Sequence, residues 1–140
     1  MIALLLALLP PFTATPEDYG VRRVAWSPDG EAVALCGETG VLLARPDGAT
    51  VRVLASEPGC REVAFEDDGA LLVVLSEARE GSTLWRWAGG AFAAVPATAP
   101  VEAVWAGGGE RLLATAEAVV RPRDGRAVPL PGVRRLARAG

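Results

Sequence analysis

The sequence predicts an all-β chain of antiparallel four-stranded repeats of about 40 residues, β-propeller-like, with about three blades in an incomplete or open arc. Three observations predict it. The stretch VRRVAWSPDGEAVAL (21–35) recurs in degraded form as CREVAFEDDGALLVVL (60–75) and VEAVWAGGGERLLATA (101–116). The aromatics Trp26, Phe65 and Trp105 follow one another at steps of 39 and 40 residues, and Gly30, Gly69 and Gly109 keep the same steps. Between the apolar runs lie short clusters of Gly, Pro and Asp, the residues that turn a chain tightly.

Residues 2–9, IALLLALL, form an apolar run stopped by Pro10 and Pro11. Eight residues fall short of the ~20 that span a bilayer as a helix, so no membrane span is expected. The run fits the core of a secretory signal with cleavage near Ala14 or Thr15, and export to the periplasm or outside the cell is the expectation. A cytoplasmic chain with an N-terminal arm is the alternative. Residues 1–20 are assigned to this segment and a Thr, Pro and acid-rich linker, and 21–138 to the repeat domain. Its units are 21–58, 60–98 and 101–131, with the start of a fourth at 133.

In the first unit Val21–Trp26 reads as a strand with Arg22, Val24 and Trp26 on one side and Val21, Arg23 and Ala25 on the other. Ser27-Pro28-Asp29-Gly30 turns the chain, since Pro28 presets φ, Asp29 can bond nearby backbone and Gly30 can take a positive φ. Ala32–Cys36 is apolar throughout, as a strand covered on both faces must be. Val41–Arg45 and Thr50–Ala55 complete four strands, joined through the Pro46-Asp47-Gly48 turn. The second unit repeats the plan as Arg61–Glu66, Ala70–Ser76, Ser82–Ala88 and Ala91–Val95. The third runs Val101–Ala106, Arg111–Ala116, Ala118–Pro122 and Arg126–Leu130. Pro96 and Pro129 lie at or near the last strand of their units, which suits an outer edge. VRRLARAG (133–140) echoes VRRVAW, with Arg138 at the position of Trp26.

Composition excludes much chemistry. All 14 basic residues are Arg, and His, Lys, Asn and Gln are absent. Without His there is no Ser-His-Asp device and no imidazole ligand; without Lys there is no Schiff base and no P-loop. The net charge of −3 is too small to imply a nucleic-acid partner. Ser27 and Ser82 lack a base partner. Asp67-Asp68 reads as a hairpin turn rather than a metal pair, because Asp68 sits where Asp29 sits. No cofactor and no metal are expected, and no enzymatic activity.

The Trp26-Ser27-Pro28-Asp29-Gly30 stretch, the apolar strand after it and the second Pro-Asp-Gly turn resemble the WD-repeat-like propeller repeats of Tol-type translocation proteins and of prolyl-peptidase propeller domains. The second unit keeps an aromatic, an Asp and the Gly; the third keeps Trp105 and Gly109. The resemblance implies structural roles for these positions, with the aromatic between blades and the others in the hairpin. The Trp-Asp dipeptide of classical WD repeats and its Gly-His partner are missing.

Five side chains are candidates for partner binding. Arg22, Arg61 and Arg134 fall four residues before the aligned positions 26, 65 and 138, so they gather near one rim if the first strand lines the centre. They would meet an anionic ligand or acidic surface, or else pair with Glu62 and Glu102. Trp85 and Trp87 point the same way along one strand, as hot-spot residues or as packing between blades. Cys36 ends a second strand and Cys60 opens the next first strand, so both lie toward one rim of adjacent blades as a candidate disulfide or as two buried thiols. The function expected is binding or scaffolding, with a protein partner and homo-oligomerisation, since three blades leave two end faces uncovered. The alternatives are the truncated propeller of an exported peptidase or carbohydrate-active enzyme, and a lectin-like oligomer using Trp85, Trp87 and Phe92.

Overall fold

Among the described residues twelve short strands form, because apolar runs of four to eight residues alternate with Gly, Asp and Pro turns that let each run fold back on the last. The computed structural model describes residues 20–38, 40–48, 51–55, 59–77, 81–97, 99–133 and 136. The apolar run at 2–9, most of the linker, Arg134 and Arg138 lie outside the described residues. The strands are β1 (Val21–Trp26), β2 (Val33–Gly37), β3 (Gly40–Ala44), β4 (Val51–Ala55), β5 (Cys60–Phe65), β6 (Leu71–Glu77), β7 (Gly81–Ala88), β8 (Ala91–Ala94), β9 (Ala103–Gly107), β10 (Glu110–Ala114), β11 (Ala118–Arg121) and β12 (Arg126–Pro129). They make three antiparallel sheets in meander order, β1-β2-β3-β4, β5-β6-β7-β8 and β9-β10-β11-β12.

Turn chemistry closes the hairpins. At 27–32 the Ser27 amide donates to the Ala32 carbonyl (2.9 Å) and the Gly30 amide to the Ser27 carbonyl (3.0 Å). The Asp29 carboxylate accepts from the Glu31 amide (2.9 Å) and the Ser27 hydroxyl (2.7 Å), which hold its pKa below the ordinary value. Asp68 repeats the role, accepting from the Ala70 amide at 2.9 Å. The third hairpin is tighter. Gly107 pairs directly with Glu110, and Gly108 and Gly109 between them have φ of 57° and 76°. Two consecutive positive φ values define the type I′ turn and select Gly.

The sheets pack face to face. The face of the first sheet toward the second carries Ala34, Cys36 and Val41, and meets Val63, Leu71, Val73 and Leu75. The opposite face of the second sheet, with Leu72, Val74 and Leu84, meets Val101, Val104 and Leu113 of the third unit. β6 therefore buries residues on both faces, which explains why LLVVLSE lacks polar alternation in its first five residues. The innermost strands stand side by side at the centre, β1 beside β5 and β5 beside β9. β12 is exposed along its whole length, and Pro129 on it opposes Ala118.

One expectation is corrected. The three aligned aromatics do not share a role between blades. Phe65 packs into the junction of the first two sheets. Trp26 is 60% exposed and pairs with Val33, on the face turned away from the second sheet. Trp105 pairs with Leu112 while its neighbour Val104 pairs with Leu113, and Val104 and Leu113 face the second sheet. Trp105 therefore points the other way. The third unit is thus offset by one residue from the alignment of the aromatics. A one-residue offset turns every side chain of a strand to the other face.

Candidate functional site

β1, β5 and β9 put their side chains around a central depression of about 690 Å³. Arg22, Arg23 and Trp26 come from the first sheet, Glu62 and Phe65 from the second and Trp105 from the third, with Leu136 also on the wall. One cross-sheet ion pair lies among its polar groups. Arg23 Nε lies 3.5 Å from a Glu62 carboxylate oxygen, and Arg23 Nη1 donates to the Arg22 carbonyl at 2.9 Å.

At the rim where first strands begin, Arg61 Nη2 lies 2.8 Å from Glu102, and its Nη1 donates to the Ser82 hydroxyl at 3.3 Å. Arg61 thus ties the second sheet to the third unit. Arg22 approaches Glu38 at 3.8 Å, both groups being largely exposed, a pairing worth little in water. The structure therefore places Arg22 and Arg61 at one rim of the centre, with Arg61 partnered and Arg22 facing solvent. At the same rim Cys36 and Cys60 form a disulfide, Cα to Cα 5.2 Å. Both are buried, and the link joins the end of β2 to the start of β5 in the neighbouring sheet.

Trp85 and Trp87 are half-buried against the core between the first two sheets. Trp87 meets Phe92 edge to face at 4.8 Å between ring centroids, and the Arg52 guanidinium of the first sheet lies 5.1 Å over its ring. Trp85 Nε1 donates to the Thr83 hydroxyl at 2.9 Å. These rings face the first sheet and brace it.

The opposite rim carries a charge cluster that the sequence reading missed. Glu66 accepts from Arg86 Nε (2.7 Å) and from Arg111 Nε (2.6 Å). Arg86 also reaches Asp68 (2.7 Å). The Asp67 carboxylate accepts the Gly109 amide at 2.7 Å, across the junction into the third sheet. Hydrogen bonding from Arg111, then Arg86, holds the Glu66 carboxyl below the usual carboxylate range against the opposing effect of burial. A faint signal existed: Glu66 lies three residues before Gly69 and Arg111 two after Gly109, so opposite charges flank equivalent turns. Among the described residues no three carboxylates or thiols converge as a metal site, and no helix is long and apolar enough to cross a membrane.

Three four-stranded meanders around a common centre, with first strands innermost, define a propeller-like β-repeat protein. No protein-family model and no curated protein matches the chain. Its fold is similar to a solved structure of Kuenenia stuttgartiensis hydrazine synthase, over 88% of this chain with a TM-score of 0.61 and 16% identity. The chain spans about 40% of the length of that one. TolB from Acinetobacter baumannii aligns over 81% of this chain and 44% of its own, with a TM-score of 0.40 and 13% identity.

Proposed function

We propose that the chain is a non-catalytic binding or scaffolding module that works in an oxidising, exported compartment. One observation carries the binding role. The face of the first sheet turned away from the second presents Val24, Trp26 and Val53, all more than half exposed, in the orientation that elsewhere in the chain is buried against another sheet. Exposed large apolar side chains on a sheet face of this kind mark an interaction surface. The buried disulfide supports the compartment, since such links persist where the surroundings oxidise them. The apolar run at 2–9 is consistent with it. The turn and ion-pair roles of Asp29, Asp68, Glu66 and Asp124 leave these carboxylates bound to structure.

The test is retrieval of tagged protein from the exported fraction. A stoichiometric protein, foreign or a second copy, should come with it, and Val24→Asp with Trp26→Asp should lose it. A chain found only in the cytoplasm, or one that retains no protein, overturns the proposal.

A further inference from the structure

The junction between the first two sheets opens as it reaches the rim of the 27–32 and 66–70 hairpins, and forms there a cleft of about 320 Å³. Every residue that lines it belongs to the first two units. Its floor is the end of the core between those sheets. Leu71 is buried there, and Leu43, Phe65 and Trp87 are half-buried, each packed on the core and each lining the cleft. Trp87 is held in place by Phe92 and by the Arg52 guanidinium, and Arg52 itself does not line the cleft. A space of this size is at the lower end of the roughly 300–1,000 Å³ that ligand sites occupy, so it suits one side chain rather than a long segment.

The walls are acidic. Asp29 and Glu31 stand on the hairpin of the first sheet, and Asp68 and Arg86 on the side of the second. Arg86 is already shared between Glu66 and Asp68, at 2.7 Å from each, so it does not offset the first wall. Both turn bonds of Asp29, from the Ser27 hydroxyl and the Glu31 amide, fall on Oδ1. They favour the ionised carboxylate, the Glu31 amide most, and Oδ2 takes no part in the turn. Among the described residues neither Asp29 Oδ2 nor the Glu31 carboxylate has a hydrogen-bond or ion-pair partner.

We propose that this cleft binds an arginine side chain presented by a partner protein, at a site separate from the exposed face of the first sheet. Arginine suits both halves of the cleft. Its aliphatic stem covers apolar surface while its head stays among polar groups. The guanidinium stacks on aromatic rings and forks onto carboxylates. The chain makes both pairings beside the cleft, with Arg52 over Trp87 at 5.1 Å and Arg86 bridging Glu66 and Asp68. An anionic group would meet Asp29 and Glu31 as like charges. A lysine would bring them a point charge without the planar fork.

The test is an NMR titration of the isotope-labelled full chain, disulfide intact, with the capped peptide acetyl-Gly-Arg-Gly-amide. The amides of Gly69, Ala70, Ala88 and Gly89 and the Trp87 indole should shift together, with a Kd on the order of 1 mM. The same peptide with citrulline keeps the shape without the charge and should bind roughly tenfold more weakly. The lysine peptide should bind several-fold more weakly. Glu31→Gln alone should weaken the arginine peptide measurably, and together with Asp29→Asn roughly tenfold. Asparagine still offers the turn an acceptor, and the Glu31 side chain makes no bond within the described residues, so both variants keep the fold. No binding up to about 10 mM, shifts centred outside the cleft, equal binding of the citrulline or lysine peptide, or a Kd unmoved by the combined change overturns the inference.

Discussion

Gly30 shows how a single residue holds the repeat. Its φ is +74°, and a Cβ built there would meet nothing within 4 Å. Substitution therefore acts through backbone conformation alone, with no clash to confuse the result. The left-handed region costs an L-residue roughly 1–2 kcal/mol, and a β-branched side chain sits at the upper end. Gly30→Val should lower the stability by about 2 kcal/mol in urea unfolding, while Gly30→Asn should lose much less. Equal effects of the two would remove the turn assignment. Gly59 makes the contrast, because a Cβ there would lie 2.9 Å from the Glu38 carbonyl oxygen. Its demand for Gly comes from close approach of the first unit's β2–β3 turn to the second unit.

At the scale of elements, the link between β2 and β5 has the largest single effect. Cys36 and Cys60 are 24 residues apart, and closing a loop of that length restrains the unfolded chain by about 3 kcal/mol in the chain-entropy view. The same bond fixes the first sheet against the second, where Arg52 and Trp87 also meet. Cys36→Ala with Cys60→Ala should lower the unfolding free energy by roughly 2–4 kcal/mol. Peptide mapping of the unreduced protein should recover the two cysteine peptides joined. Two free thiols in exported protein would contradict the structure.

Across the whole molecule the two junctions are held differently. A disulfide closes the first; Glu66, Arg111, Asp67 and the Gly109 amide close the second at one rim, and Arg61 with Glu102 at the other. The third sheet also ends in a fully exposed strand, so it should open first. Its hold depends on pH. Because the folded-state pKa of Glu66 is lowered, its contribution is complete above the unfolded value of about 4.3. That contribution is lost as pH falls through the lower folded value. Amide exchange in β9–β12 should rise, relative to β5–β8, as the pH drops below about 4 once intrinsic rates are corrected. Glu66→Gln should produce much of that rise at neutral pH. Uniform exchange across the three sheets, or no change with Glu66→Gln, would show that the cluster does not hold the third sheet.

The strands were legible in the sequence, every one within two residues of its observed ends, because short apolar runs bounded by Gly, Asp and Pro encode local hydrogen bonding directly. So were the turn roles of Asp29 and Asp68, and the rim positions of Cys36 and Cys60, which follow from strand direction alone. The faces were legible only where register was constant. Alternation placed Val24 and Trp26 on one face, but Trp105 was aligned by its distance along the chain, and the third unit is offset from that alignment by one residue. The Glu66 and Arg111 pair, 45 residues apart, the Arg52 to Trp87 contact and the exposure of Trp26 were decided by how sheets stack. Stacking depends on which faces meet, and strand periodicity says only that a face exists, not what lies against it.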